Sequence, residues 1–354
     1  MPIFRIFMMA MALLSALPAH SRPPFFRQGR IRYDLLDNHL YGTYIYPNEL
    51  EPQKARPFLI RSGRGLYISV GTERSFLGFG QSKSSHLLMV DKDPFAVMFN
   101  RINIALLKMA TSQEDYLELR RTEDIRLWKS HPNWTKLSES ERRLLLGKIC
   151  SHCKPNFSHW SIAMNYNYKF EALHKISSGK QQVIGGYLIK SFHRGNYLSD
   201  PIAFKKLSQA AKEGRMVAMQ IDLSNRTAVS TLLQSLEESG LDISVLDFSN
   251  LWDTWFRDKF TFTDLVRSFD KLANPDTLLL STVDYERRPF PRWMYVGTKF
   301  RFLRKNPKLY FNDEYMKIFR TRPDKAVGFK GRMWVGHQVS SACDDELIDE
   351  EEED

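Results

Sequence analysis

The chain lacks the short motifs that identify several large classes of enzyme. It has no G-x-G-x-x-G turn, no G-x-x-x-x-G-K-[ST] phosphate loop, no H-E-x-x-H pair of metal ligands and no Ser-His-Asp hydrolase elbow. The first absence disfavours a NAD site. The others disfavour P-loop nucleotide hydrolysis, zinc peptidases and serine hydrolases. Outside the N-terminus, no stretch resembles a membrane span.

Cysteine is also scarce, with three residues in 354. Cys150 and Cys153 form a C-x-x-C after a charged helical segment, which is not the setting of a thioredoxin-like redox pair, and Cys343 is left over. Zinc would need two further ligands, and the nearby histidines have no standard spacing. We therefore expect no metal site and favour structural thiols or a local disulfide, with metal binding and redox catalysis as the alternatives.

The composition is that of a folded chain with a substantial core. Hydrophobic residues make up 43% of the sequence and aromatic residues 13%, which is far from a disordered composition. The length suits one large domain, or one core that carries an insertion.

The N-terminus has the pattern of a secretory signal peptide. Residues 1–21 place Arg5 before an apolar run and then offer small residues for cleavage. We therefore expect an exported (periplasmic or secreted) protein, with a buried N-terminal helix as the alternative. The apolar run is too short to anchor the mature chain as a spanning helix.

The acidic C-terminal tail offsets part of the positive net charge of the rest of the chain. Residues 341–354 carry nine acids and no base, and we expect this tail to be disordered. The formal net charge is +10 for the whole chain, but 51 basic against 32 acidic residues, or +19, without the tail. A basic body suggests an anionic partner such as a lipid or membrane surface. An ordinary solvated basic surface is the alternative.

Apolar segments of strand length alternate with helical segments. The strand-like runs are residues 66–70, 87–90, 216–221, 243–246 and 278–282. Fully apolar strands of this kind are typical of a parallel sheet covered on both faces. We therefore predict an α/β fold of the Rossmann-like, doubly wound type with a mainly parallel sheet. Alternating aromatic and basic residues over 292–335 predict an antiparallel C-terminal edge.

The same pattern divides the chain into segments. Between residues 111 and 200 charged helical pieces replace the alternation, and this length predicts a helical insertion because structureless loops are rarely so long. The predicted order is an N-terminal arm over 22–60, the first part of the core over 61–110, the insertion over 111–200 and the second part of the core over 201–340.

Acidic residues follow four predicted strands, and a glycine turn follows the first strand. The acids are Asp91, Asp222, Asp247 and Asp284. The carboxyl ends of parallel strands form the edge where ligands bind in open α/β sheets. Gly71 begins a turn that leads from a strand into a helix, and Asp91 lies 20 residues later, the spacing expected of a ribose-binding acid in a nucleoside site.

These motifs resemble those of class I S-adenosylmethionine (SAM)-dependent methyltransferases. Gly71-Thr72-Glu73 matches the glycine turn, Asp91 the ribose acid, Asp222 the acid after the third strand, and Asp247-Phe248-Ser249-Asn250 the segment after the fourth. The turn has no second glycine, so the resemblance places Glu73 and Arg74 near the methionine part of SAM.

A more distant resemblance is to the SAM:diacylglycerol 3-amino-3-carboxypropyl transferases of betaine-lipid synthesis. It rests on Asp91-Lys92-Asp93-Pro94, on Glu114-Asp115-Tyr116-Leu117 and on the segment Ser249-Asn250-Leu251-Trp252-Asp253. Together the two resemblances cover the order of elements from about residue 65 to residue 290.

The resemblance implies a SAM-dependent transferase of methyl or aminocarboxypropyl groups, with a lipid as one candidate acceptor. Gly71, Thr72, Glu73, Asp91 and Asp222 are then the cofactor-binding residues. Asp247, Ser249 and Asn250 are the catalytic candidates that orient or deprotonate the acceptor, and helix capping is the alternative for the last two. The segment lacks the prolines of many nucleic-acid methyltransferases, so we do not expect a nucleic-acid substrate.

A second interpretation is an exported, non-catalytic binding protein that keeps the methyltransferase-like scaffold to contact anionic lipid or a partner protein. SAM is made in the cytosol, whereas the N-terminus predicts export. Either export is wrong, or the protein acts where SAM is supplied, or the fold is kept without its chemistry.

Overall fold

The computed structural model describes residues 55–121, 125–146, 182–184, 187–189, 197–198, 200–249, 251, 260–284, 293–305 and 333–335. The predicted signal peptide, the C-x-x-C and the acidic tail lie outside these described residues, as does nearly all of the predicted arm.

A seven-stranded sheet forms the centre of the fold. In chain order the strands are β1 (Leu66–Val70), β2 (His86–Asp91), β3 (Gln182–Ile184), β4 (Tyr187–Ile189), β5 (Met216–Gln220), β6 (Ile243–Asp247), β7 (Ala273–Asp284), β8 (Trp293–Lys299) and β9 (Met333–Val335). The order across the sheet is β5-β2-β1-β6-β7-β8-β9, and β3 and β4 form a separate antiparallel hairpin. From β5 to β7 all pairs are parallel, whereas β8 is antiparallel to both of its neighbours. The predicted Rossmann-like, mainly parallel sheet with an antiparallel edge is therefore confirmed.

The helices connect the strands and cover the sheet. They are α1 (Arg56–Leu59), α2 (Glu73–Gln81), α3 (Pro94–Met109), α4 (Gln113–Arg121), α5 (Ile125–Ser130), α6 (Glu139–Leu145), α7 (Pro201–Lys212), α8 (Arg226–Ser239), α9 (Phe262–Ser268) and α10 (Phe300–Lys305). A 3₁₀ turn over Trp134–Lys136 precedes α6. In the described ranges, no helix has both the length and the apolarity to cross a membrane.

Alternate residues of each central strand supply two apolar cores, one on each face of the sheet. In β1, Tyr67 joins the core formed with α2 to α7, whereas Leu66 and Ile68 join the core formed with α8, α9 and α10. Because both faces are covered, the central strands are mainly apolar, with a few buried polar residues such as Ser69 and Ser244. Strands β2 and β5 follow β1 on one side of the sheet, whereas β6 and β7 follow it on the other side. This topological switch point between β1 and β6 places the expected ligand crevice beyond their carboxyl ends.

Two elements differ from the sequence-based expectation. The last parallel strand begins at Ala273 rather than near residue 278, because the register against β6 shifts after Ala273 and lets the segment with Pro275 lie outside the regular pairing. Within the predicted helical insertion, α4, α5 and α6 are present, but the β3–β4 hairpin was not expected.

Candidate functional site

The turn after β1 has a conformation that depends on glycine. Gly71 has a φ of +97°, a left-handed value that residues with a side chain rarely adopt. The carbonyl of Gly71 accepts a hydrogen bond of 2.9 Å from the Nδ2 of Asn100 on α3. Helix α2 begins two residues later, with Thr72 at its N-cap. The Oδ1 of Asn100, whose side chain is buried, has no hydrogen-bond partner in the part of the chain that is described.

Asp91 lies directly beside this turn. Its carboxylate accepts the backbone N–H of Asp93 at 2.9 Å, and the backbone N–H of Gly71 lies close enough to favour its ionised form. Burial of the carboxyl group raises the pKa of Asp91 to about 7, although these two N–H donors oppose the shift. The structure therefore brings together two of the predicted cofactor residues, Gly71 and Asp91, at the ends of neighbouring strands.

Asp247 lies on the other side of the crevice, at the end of β6. It is 0% exposed, and both of its carboxylate oxygens are engaged. Oδ1 forms an ion pair with the guanidinium of Arg74 from the first turn of α2, and Oδ2 accepts the hydroxyl of Tyr67 at 3.0 Å. Burial raises the pKa of Asp247, with Arg74 and the Tyr67 hydroxyl acting in the opposite direction.

Arg74 spans the crevice between β1 and β6. Its aliphatic stem lies against Gly71, its guanidinium pairs with Asp247, and its guanidinium carbon lies 5.2 Å from the ring centroid of Tyr295 on β8. The side chain of Arg74 is therefore held at the point where the sheet reverses direction.

The loop after β6 carries the two remaining catalytic candidates, Ser249 and Asn250. Ser249 has a φ of +51°, an uncommon value for a residue other than glycine and a common one at functional turns. Its backbone N–H lies 3.4 Å from the Oδ1 of Asp247, and its carbonyl accepts the N–H of Thr282 at 2.9 Å. Asn250 lies outside the described residues.

Asp222 follows β5 near Asp91, since the N–H of Ile221 donates to the Asp91 carbonyl at 2.9 Å. Its carboxylate accepts the backbone N–H of Ser224 at 2.9 Å and the Ser224 hydroxyl at 2.5 Å. Asp222 thus shapes the turn before α8, and its predicted contact with adenine stays a prediction.

Glu73 points away from the crevice into a buried polar network. Its carboxylate pairs with Arg120 of α4 and accepts the hydroxyl of Tyr197 at 2.6 Å. Arg120 also donates to Tyr197 at 2.8 Å and to Tyr116 at 3.0 Å. Glu73 therefore fixes the first turn of α2 to residues of the predicted insertion, and its predicted contact with the cofactor stays a prediction.

Sequence reasoning places Arg74 near the methionine part of SAM through the resemblance alone, and it assigns no role to Asn100 or to the partners of Glu73. One signal was available for Arg74, because a base in the first turn of a helix opposes the helix dipole and calls for a specific anionic partner. Asn100 occupies a buried position on α3 among apolar residues, where an amide must find hydrogen-bond partners.

Other expected features can be located as well. Of the predicted aromatic and basic segments, α10 has Phe300 and Leu303 buried, while its exposed Arg301 and Arg304 pair with Asp276 and Asp270. Asp284 ends β7.

Among the residues that the structure describes, no group of His, Cys, Asp and Glu could hold a metal ion.

Comparisons with known proteins add a family and a distant structural likeness. A model of the family described as "Domain of unknown function (DUF7790)" matches residues 44–321. A search of curated proteins found no match. Among solved structures, the chain is similar to the rRNA methyltransferase aviRa from Streptomyces viridochromogenes, with 16% identity over 71% of this chain and 79% of that chain and a TM-score of 0.32. A likeness of this strength decides neither the reaction nor the substrate.

Proposed function

The chain belongs to the family described as a domain of unknown function (DUF7790), and from the residues of its own site we propose that it is a SAM-dependent transferase. The group transferred is methyl or aminocarboxypropyl, and a lipid is the first candidate acceptor.

The observation that carries this proposal is the position of Asp91 beside Gly71, at the ends of the paired strands β2 and β1. A carboxylate at the end of one strand lies against a left-handed glycine at the end of the next strand, beside a helix N-terminus. Such a carboxylate can accept hydrogen bonds from both hydroxyls of a ribose, while the glycine allows the rest of the nucleoside to approach the backbone. The buried Oδ1 of Asn100 adds an acceptor beside the same turn.

The chemistry of SAM makes modest demands on the protein. Its sulfonium already makes the attached carbons electrophilic, so the protein has to orient the acceptor in line with the sulfur and exclude water. In this proposal Asp91 binds the ribose, Gly71 and Thr72 face the amino-acid part, and Asp222 contacts adenine. Asp247 has both oxygens engaged, which suits it to orient a bound group. Ser249 and Asn250 are the further candidates to orient or deprotonate the acceptor.

Calorimetric titration of the full chain with SAM and S-adenosylhomocysteine tests the proposal. We expect dissociation constants on the order of micromolar, and loss of binding in Asp91→Ala because the ribose loses its acceptor. Asp270→Ala is a matched control, since Asp270 is a partly exposed acid on the protein surface that pairs with Arg304. A folded wild-type chain that gives no binding heat with either nucleoside would contradict the proposal.

We further propose that the chain is exported and meets an anionic lipid surface. The support is the pattern of residues 1–21 and the charge of +19 without the tail. The mature chain should float with liposomes containing phosphatidylglycerol and not with pure phosphatidylcholine liposomes, and added salt should weaken the effect. Failure to float with either composition removes the lipid partner. Flotation without nucleoside binding favours the alternative, an exported non-catalytic binding protein.

A further inference from the structure

The ion pair between Arg74 and Asp247 lies at the carboxyl end of β6, with Arg74 beside the glycine turn. Gly71 lies between the two halves of the site, because it follows β1 beside the proposed ribose acid Asp91 at the end of β2, and a Cβ at Gly71 would lie 3.5 Å from the Cδ of Arg74. A nucleoside whose ribose lies on Asp91 therefore extends its 5′ substituent past Gly71 toward Arg74 and Asp247.

We propose that this ion pair is the receptor for a zwitterionic α-amino acid group on the nucleoside. The guanidinium of Arg74 binds the α-carboxylate, and the carboxylate of Asp247 binds the α-ammonium. The inference rests on the proposed function and goes beyond it, because it names the part of the ligand that the two charged residues recognise.

Charge balance makes an exchange of partners the natural mode of binding. In the ligand-free chain each charge compensates the other, with Arg74 5% exposed and Asp247 0% exposed. A ligand with a single charge would leave one of these residues buried without a counter-charge, which is strongly unfavourable. A zwitterion supplies both counter-charges at once, so the pair can open without leaving an unpaired ion.

Neighbouring groups favour this orientation of the ligand. The N-terminus of α2, in which Arg74 is the second residue, attracts a carboxylate. The Tyr67 hydroxyl still donates to Asp247, and burial raises the pKa of Tyr67 well above its usual value, so the hydroxyl remains protonated. The site should therefore reject nucleosides that end in a phosphate, which bring negative charge to Asp247, and nucleosides without an amino acid.

Two probes with the same adenosine and an uncharged sulfur separate the inference from the proposed function. S-adenosylhomocysteine carries the amino acid, and 5′-methylthioadenosine lacks it. In the wild-type chain, calorimetry should show S-adenosylhomocysteine binding on the order of 100-fold more tightly, because the smaller probe loses two charged contacts.

The double variant Arg74→Gln/Asp247→Asn removes both charges together and so avoids a lone buried ion. We expect it to weaken S-adenosylhomocysteine until its affinity is within about tenfold of that of 5′-methylthioadenosine, whose own affinity stays unchanged. Lys108→Met/Glu141→Gln is the matched control, because it removes the ion pair between α3 and α6. This control should leave both affinities as in wild type.

Each result decides between the hypotheses. Equal affinities of the two probes for the wild-type chain would overturn the inference while leaving the proposed function intact, and this measurement does not depend on how the variants fold. A preference that survives in the folded double variant would also overturn it. Absence of binding of both probes to the wild-type chain would overturn the proposed function and the inference together.

Discussion

At the scale of single residues, Asp91 gives the site a dependence on pH. Burial raises its pKa to about 7 in the ligand-free chain, from an ordinary value of 3.8. The folded chain thus prefers the protonated carboxyl, and the stability that it gains in this way is lost as the pH rises from about 4 through 7. Ribose hydroxyls need the ionised form as their acceptor, so ligand binding has the opposite dependence.

We therefore expect S-adenosylhomocysteine to bind about tenfold more tightly at pH 8 than at pH 6. The measurement is a pair of calorimetric titrations, with Asp91→Asn as the control that cannot ionise and should bind weakly and equally at both values. An affinity that is flat with pH in the wild-type chain would show that ionisation of Asp91 is not linked to binding.

At the scale of elements, helix α2 is fixed at both ends. Its first residue, Glu73, is bound by Arg120 and Tyr197, and the ammonium of Lys206 on α7 donates to the carbonyls of Phe79 and Ser82 at its end. In its protonated form Lys206 supplies the positive charge that a helix C-terminus favours, and burial lowers its pKa to about 7. The glycine turn and the N-terminal amides of α2 are consequently held at a defined distance from Asp91.

Tyr197→Phe should loosen the first turn of α2 without changing the crevice itself. It removes a hydroxyl that donates to the buried Glu73 carboxylate, so we expect a loss of about 1–3 kcal/mol of unfolding free energy. We also expect several-fold weaker binding of S-adenosylhomocysteine.

Tyr116→Phe is the matched control for this variant. Its hydroxyl donates to Asn103 and accepts from Arg120 but does not contact Glu73. It should lower the stability to a similar extent and leave the affinity unchanged. Equal affinities of the two variants, measured by calorimetry beside urea unfolding, would show that the network supports the fold alone.

At the scale of the whole molecule, the sequence predicts two kinds of feature. These are elements with a local hydrophobic pattern, and residues that must meet because parallel strands end at one edge of the sheet. The central strands follow from short apolar runs, and the meeting of Gly71 with Asp91 follows because neighbouring parallel strands end at the same edge. The hydrogen bonds of Asp247 with Tyr67 and Arg74 join residues 180 and 173 positions apart. Such contacts depend on register and helix placement, which no local pattern contains.

The dependence on contacts between distant residues also explains what the sequence does not predict at Pro275 and Glu73. Pro275 signals a break in a strand, yet β7 includes it because a register shift against β6 accommodates a residue without an N–H. The resemblance assigns Glu73 to the cofactor, which stays a prediction, whereas the partners that hold its side chain, Arg120 and Tyr197, come from distant parts of the chain.

The attachment of Glu73 also constrains how this family can diverge. Glu73 is 1% exposed, and its counter-charge comes from Arg120, inside the segment that interrupts the sheet. A descendant that deleted this segment would keep a buried carboxylate without a counter-ion, which is strongly destabilising. Loss of the segment that carries Arg120 and neutralisation of the acid after the glycine turn should therefore be inherited together, so that one position of the turn indicates whether a relative still carries the predicted insertion.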